Sequence, residues 1–477
     1  CLLLLCARGG DFRRLLRHPL IRKGGLFLIA LFGGCQLKAD PALPVVKRVQ
    51  ADSLAIQQVV YNDRVAPFNT LARDFVQKIY GRPSFHGITP EQVVSSWMLY
   101  PEEWNRTPII RIKNQELRTA LGLKEEYASL NHLFDGTQYK LQPLWQREQG
   151  NRSKLAQAIQ ETDEKVGLIL MLRQGTLVRP LPPDVSPLST QKVNAELWYN
   201  RIPFSKILFM VNLTLGFAAF GLFMFRMLTN RKEKAVSRRV WGTALCLTTL
   251  FHATGYALRG YIRGSFPLSN GYETMQFVAL AVLLTACLLQ RRFPFTRPFG
   301  FLLSGFTLLV AYLGEMNPQI TPLMPVLASP WLSWHVSLIM ISYGLFAFTF
   351  LNGILALCLI GKPKNTASPI TGEQIEQLTL LSRLLLYPGT FLLGTGIVLG
   401  AVWANVSWGS YWSWDPKEVW ALAAFIIYGI SFHRKSLPYF QRPWLFHGYM
   451  IFAFAVVLMT YFGVNYLLGG MHSYANS

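Results

Sequence analysis

Five of the 13 tryptophans fall within the 18 residues WANVSWGSYWSWDPKEVW: Trp403, Trp408, Trp412, Trp414 and Trp420, with Tyr411 among them. Tryptophan and tyrosine favour the membrane–water interface, but an interfacial belt needs only one or two rings per helix end. A loop this dense in rings, shaped by Gly409 and Pro416 and carrying Asp415, Lys417 and Glu418, suits a flat apolar ligand with charged groups. Haem is such a ligand, because its porphyrin faces stack on aromatics and its two propionates want cationic or hydrogen-bonding partners. Its iron also needs axial ligands, most often imidazole. Four of the eight histidines, His252, His335, His433 and His472, lie in or at the ends of apolar runs.

The elements that must position these groups are membrane helices. Hydrophobic residues make up 51% of the 477-residue chain and charged ones 15%, against roughly 25% charged in an average soluble protein. A spanning helix takes about 20 apolar residues. The candidates are Phe204 to Phe225, Val240 to Leu258, Met275 to Leu289, Phe299 to Leu313, His335 to Ile360, Leu384 to Ala404, Val419 to Phe432 and Leu445 to Leu467, about eight spans with two of them short. The expected fold is an all-α, polytopic membrane helix bundle.

Charge sets its orientation. Lys and Arg number 46 against 25 Asp and Glu, a balance of +21, which on a soluble protein would suggest nucleic acid. Here the cations gather in loops. Arg226 to Arg239 holds six against the single Glu233, and Arg291, Arg292 and Arg297, then Lys362 and Lys364, then Arg434, Lys435 and Arg442 follow at every second connection. These loops are expected on the cytoplasmic side. The opposite side then holds Arg259 to Tyr272, Gly314 to Trp334, Trp403 to Glu418 and the tail after Val464, which puts His335 and His472 on the same face as the tryptophans. His433 falls at the cytoplasmic end of its helix, and His252 about midway to two-thirds along its own. No nucleic-acid partner is expected.

Ahead of the spans, DFRRLLRHPLIRK reads as another basic cytoplasmic loop, and GGLFLIALFGGCQL as a short or re-entrant span, with a signal-peptide core as the alternative. The start at Cys1, inside CLLLLC, suggests a processed or truncated chain. Residues 37–200 are polar and mixed in charge, and read as a small, mainly helical extracytoplasmic domain. In TPEQVVSSWML, Thr89 can cap, Pro90 fits the first turn and Gln92 completes a capping box. His86 and His132 are isolated there and read as surface or packing residues, as do His447 and His18 elsewhere. The six cysteines form no CxxC pair, which argues against a disulfide framework, a zinc ribbon or a dithiol motif. Without CxxCH the chain does not itself carry a covalent c-type haem.

WGSYWSWDPKEVWAL, the span ending in FHRK, YFGVNYLLGGMHSYA, FHATGYALRGYIRGSFPLSNGYETMQF and SPWLSWHVSLIMISYG together resemble the CcsA (ResC) family of system II cytochrome c synthases. The resemblance covers residues 201–477, with the tryptophan-rich WWD domain at 403–420. DFRRLLRHPLIRKGG and the domain after it look like the join of a CcsB–CcsA fusion, so residues 1–36 would end a CcsB-like (ResB-like) half.

The resemblance implies that haem b, as bound ligand and substrate, passes from the cytoplasmic side to the WWD domain at the outer face of a bacterial inner membrane. There it is joined through thioether bonds to the CxxCH cysteines of apocytochrome c. His335 and His472 would be axial ligands of the outer haem, with Trp403, Trp408, Trp412, Trp414 and Trp420 as its platform. Trp412, Trp414 and Asp415 would join the two histidines in catalysis. His433 would ligate a second, inner haem whose other ligand belongs to the CcsB-like half, with a role for His252 there as the alternative. The activity would be that of a holocytochrome c synthase acting together with that half. Related haem-handling proteins of system I (CcmF or CcmC), a secondary transporter and a b-type electron-transfer protein are the alternatives; no internal repeat marks a transporter, and the clearest histidine pair lies at one surface.

Overall fold

The structure is a computed structural model that describes residues 43–468 apart from 137, 152, 230, 232, 315, 317, 322–328, 362–368 and 434. The segment 24–37, the basic stretch before it, Lys362, Lys364, Arg434 and His472 lie outside the described residues. The chain divides into two compact units, one holding the described residues up to Val59 with Pro67–Pro182, the other Val60–Ala66 with Pro183 onward.

The first unit is built from short helices: α1 (Arg48–Ala55), α2 (Phe68–Tyr80), α3 (Pro90–Leu99), α4 (Pro101–Arg106), α5 (Gln115–Ala120), α6 (Leu141–Glu148) and α7 (Lys154–Arg173). In α2, Leu71, Phe75 and Ile79 recur every fourth residue and are buried, the spacing that keeps one face of a helix toward a core. The capping box on α3 forms: Thr89 accepts from the Gln92 backbone N–H, and Gln92 reaches back to that of Thr89. Trp97 and Trp104 fill the centre, with the indole of Trp97 donating to Asn105 at 3.0 Å. Two antiparallel strand pairs, β1 (Ile110–Arg111) with β2 (Tyr127–Ala128) and β3 (Phe134–Asp135) with β4 (Gln138–Tyr139), tie its loops together. His132 bonds the Leu121 carbonyl at 3.1 Å.

The second unit contains α8 (Thr190–Arg201), α9 (Phe204–Leu228), α10 (Ala235–Arg263), α11 (Gly271–Leu289), α12 (Thr296–Leu313), α13 (Pro330–Ile360), α14 (Pro369–Trp408), α15 (Pro416–Ile430) and α16 (Pro443–Leu458), which runs on as π-helix through Met459–Leu468. Six stretches are long and apolar enough to cross a membrane: Phe204–Met227, Gly271–Leu289, Thr296–Leu313, Pro330–Ile360, Gly372–Trp408 and Pro443–Asn465. The count is therefore six among the described residues, against the eight expected. The other two candidates are helical but fall short for physical reasons. Helix α15 has 15 residues, and α10 has His252 inside its apolar run, with Arg238 and Arg239 just before it and Arg259 and Arg263 just after.

Helix α10 nevertheless runs the length of the bundle. Near its start Glu233 bonds Arg226 at 3.0 Å and Arg297 at 2.6 Å. Near its end Arg259 donates to the carbonyls of Pro318 and Gln319 at 2.7 and 3.0 Å. Connections expected on one face thus meet at one end of the bundle, and those expected on the other meet at the opposite end. Close helix approach is made by small residues, as in other membrane bundles. A Cβ on Gly305 would lie 2.8 Å from Leu213, and one on Gly216 2.9 Å from Leu302, which brings α9 against α12. Helices α13, α14, α15 and α16 share a core in which Phe346 stacks on Tyr428, centroids 3.5 Å apart, over Met450 and Leu393.

Candidate functional site

Helix α14 is the floor of the site. Its glycines Gly396 and Gly400, one turn apart, leave a notch that receives the imidazole of His335 from the second turn of α13; a Cβ on Gly400 would lie 2.5 Å from the ring. His335 Nδ1 is 2.7 Å from the Gly396 carbonyl. A carbonyl oxygen accepts and does not donate, so Nδ1 carries the proton of that bond, which fixes the orientation of the ring. Metal-binding histidines are commonly oriented by such a backbone bond.

One turn beyond Gly400 comes Trp403, 2% exposed, and α14 ends at Trp408. Gly409, with φ +75°, turns the chain out of the helix and returns its N–H to the Asn405 carbonyl at 2.9 Å. The chain then passes Tyr411, Trp412 and Trp414. Trp414 has φ +57°, a left-handed conformation that is a clear outlier for a bulky residue. Its ring is 73% exposed and meets that of Trp412 edge to face at 6.0 Å, as Trp408 meets Trp403 at 6.2 Å.

The five tryptophans therefore do not make one shelf. Trp408 and Trp414, with Tyr411, are presented outward; Trp412 is half-buried. Trp403 is packed inside the bundle, and Trp420 joins Val336 and Ile339 against the core of α13. His335, Trp403, Trp420 and the exposed rings still gather at one end of α13, α14 and α15.

Asp415, Pro416 and Glu418 have a local structural task. Asp415 is the N-cap of α15, accepting from the Lys417 N–H at 3.0 Å, and Glu418 closes the capping box on the Asp415 N–H at 3.2 Å while accepting from Ser413 N–H at 2.9 Å. Pro416 supplies the preset first turn. Burial pushes the Lys417 ammonium down to about 8, with the Asp415 carboxylate opposing that shift.

His433 lies at the far end of α15, a helix of 15 residues and so about 22 Å long. It stands exposed at the rim of a groove of about 800 Å³ between α14 and α15, lined by Tyr387, Phe391, Phe425 and Ile430. The groove falls within the usual range for ligand pockets, about 300–1,000 Å³. Gly394 lets Phe425 close against α14, its Cβ position being 2.7 Å from that ring. The Thr390 hydroxyl in the groove wall is buried without a partner among the described residues. His433 and His335 are thus placed apart, at opposite ends of the bundle.

Sequence reasoning gave no partners to three buried groups. Arg259 and Arg263, assigned to an outer loop, lie on the last two turns of α10, where Glu273 accepts from both at 2.8 and 2.7 Å. Arg259 also bonds Tyr199 at 3.2 Å and stacks on Tyr272. The i, i+4 spacing of the arginines and the Asn270–Glu273 helix start were the available signals. Mid-bundle, His252 is 1% exposed and bonds Gln276 at 3.1 Å, which bonds Ser205 at 2.9 Å. His447, treated as unremarkable, is fully buried and bonds Thr379 at 2.9 Å.

This bundle, with membrane-length helices and an aromatic loop and an oriented imidazole at one end, is matched over residues 268–472 by the family model described as Cytochrome C assembly protein. Protein NrfI of Wolinella succinogenes is 32% identical over 482 residues, covering 86% of this chain and 53% of NrfI. Cytochrome c biogenesis protein CcsA of Synechococcus sp. (strain WH7803) is 33% identical over 312 residues, 55% of this chain and 94% of that protein. CcsA of Chlamydomonas reinhardtii is 34% identical over 258 residues, 52% and 70%. The chain belongs to the CcsA family of cytochrome c biogenesis proteins. It spans about half the length of NrfI.

Proposed function

We propose that this chain presents haem b to apocytochrome c at the outer face of a bacterial inner membrane and promotes thioether formation with the CxxCH cysteines, acting as a system II holocytochrome c synthase together with a CcsB-like half. The observation that carries this reading is the pose of His335: its Nδ1 proton is committed to the Gly396 carbonyl, which fixes the imidazole, the proposed iron ligand, at the same end of the bundle as the exposed rings of Trp408, Tyr411 and Trp414. His472, four residues beyond Leu468 in sequence, is the proposed second ligand, and His433 with its aromatic groove the proposed inner site. The basic connections at the Glu233 end support placing that end in the cytoplasm.

Bound haem supplies two vinyl groups, to each of which a cysteine thiol adds with no net change in protons. What the protein supplies is placement. His335 fixes the iron, the rings of Trp408, Trp412 and Trp414 fix the porphyrin plane, and the Asp415–Glu418 capping box holds those rings in position. Positioning of this kind is worth several orders of magnitude in rate. The histidine of the arriving CxxCH replaces one protein ligand and draws its cysteines over the vinyls; His472 is the one proposed to yield.

The test is His335→Gly, assayed in the full chain with its CcsB-like half by haem absorption and by holocytochrome c yield. Loss of the outer haem signal, with recovery on adding imidazole, is expected. An unchanged spectrum and unchanged yield would refute the ligand assignment.

A further inference from the structure

Cys246 and Cys287 are 41 positions apart in sequence and on different helices, and α10 and α11 bring them together. Cys246 is exposed on α10 and Cys287 partly covered on the last turn of α11, with Thr249, one turn after Cys246 on α10, placing its Oγ1 3.3 Å from Cys287 Sγ. The Gln290 side-chain amide bridges them, donating to Cys246 Sγ at 3.6 Å and to the Cys287 carbonyl at 3.3 Å. Gly242, one turn before Cys246, makes room for that amide, since a Cβ there would lie 2.9 Å from its Oε1. Thr249 spends its hydroxyl proton on the Leu245 carbonyl at 2.7 Å, so its 3.3 Å approach to Cys287 Sγ has the sulfur as donor.

We infer that Cys246 and Cys287 form a dithiol site that closes to a disulfide between α10 and α11 by exchange with a water-borne, low-molecular-weight disulfide. The pair lies where α11 ends and Gln290, Arg291 and Arg292 follow, the level at which a water-borne reagent reaches the bundle. The cations there, with Arg238 and Arg239 at the start of α10, favour an anionic reagent of the glutathione class. Cys246, the exposed thiol, loses its proton and attacks one sulfur of the reagent, forming a mixed disulfide and releasing one thiolate. Cys287 then attacks Cys246 Sγ, forming the Cys246–Cys287 bond and releasing the second thiolate. The two protons lost by the protein thiols end on the two released thiolates, so one reagent disulfide is reduced for each protein disulfide formed.

The experiment treats the full chain in detergent with glutathione disulfide at about pH 8.5, near the free-thiol pKa, then blocks remaining thiols with maleimide and maps tryptic peptides. Expected are a linked pair of peptides 240–259 and 264–291, simultaneous loss of maleimide labelling at both cysteines, and recovery of both by a dithiol reductant. Cys358→Ser should leave the result unchanged. In Cys246→Ser the Cys287 thiol should remain open to maleimide, because its partner is gone. Independent modification of the two thiols, a stable glutathione adduct at Cys246 with Cys287 still free, or no reaction with excess reagent would each overturn the inference.

Discussion

Replacing Gly400 by Ala tests the central geometry without touching a ligand. The added methyl would sit 2.5 Å from Cε1 and Nδ1 of His335 and 3.2 Å from Nε2. Carbon contacts settle at about 3.5–4.0 Å, so the imidazole must withdraw by roughly 1 Å. Withdrawal stretches the 2.7 Å bond to the Gly396 carbonyl. Overpacking costs about 1–3 kcal/mol and the weakened hydrogen bond about 1 kcal/mol, while Ala in place of Gly within a helix returns about 1 kcal/mol. Net destabilisation is therefore modest, about 1–3 kcal/mol, and the bundle should still fold.

Ligand placement is less forgiving, because a misplacement of about 1 Å can cost on the order of a hundredfold in rate. The expected outcome is a folded, monodisperse protein with a shifted or weakened outer-haem spectrum and holocytochrome c yield reduced at least tenfold. Gly372→Ala is the control: it lies on the same helix with nothing within 4 Å of the added carbon, and should be neutral or slightly stabilising. If Gly400→Ala matched the wild type in both spectrum and yield, His335 would not be held as argued.

Glu273→Gln leaves Arg259 and Arg263 buried without their shared carboxylate; a loss of about 3–5 kcal/mol is expected, read as earlier thermal unfolding in detergent. Trp414→Gly relieves the left-handed backbone, worth about 1–3 kcal/mol, and removes little packing, so stability should hold or rise while cytochrome yield falls; a fall in both would mean the ring is structural. Lys417 is held down to about 8 from 10.5, so between those values the unfolded chain binds more protons and stability rises with pH. A pH series of unfolding midpoints should show that rise, and Lys417→Met should flatten it.

What could be read from the sequence was whatever is encoded locally. Apolar runs of sufficient length announced α9, α11, α12, α13, α14 and α16, and the Thr89–Gln92 cap on α3 follows from four adjacent residues. The density of rings at 403–420 was visible, but their division was not, since only α14's packing decides that Trp403 faces inward while Trp408, four residues after Ala404, faces out. Asp415 shows the limit of residue type as a guide: beside four tryptophans it reads as chemistry, while DPKE is also a helix start. Features assembled across helices left at most a partial trace along the chain, such as the i, i+4 spacing of Arg259 and Arg263. The Arg259–Glu273–Arg263 cluster, the His335–Gly400 notch and the Cys246–Cys287 pair all depend on which helix faces which, and α10 hides its passage through the bundle because those same buried charges depress its apolar character.

The π-helical stretch Met459–Leu468 bears on how His472, the proposed second ligand, would yield. Such winding is rare, is found mostly as single-turn bulges and is frequent at functional sites; here it follows directly on α16, in which His447 and Met450 stay packed. Each residue released from a helix gains reach, from about 1.5 Å of rise toward about 3.4 Å when extended. Releasing four residues lengthens the tether to His472 by about 8 Å, the scale of motion needed to swing an imidazole off an iron and back without moving a membrane helix.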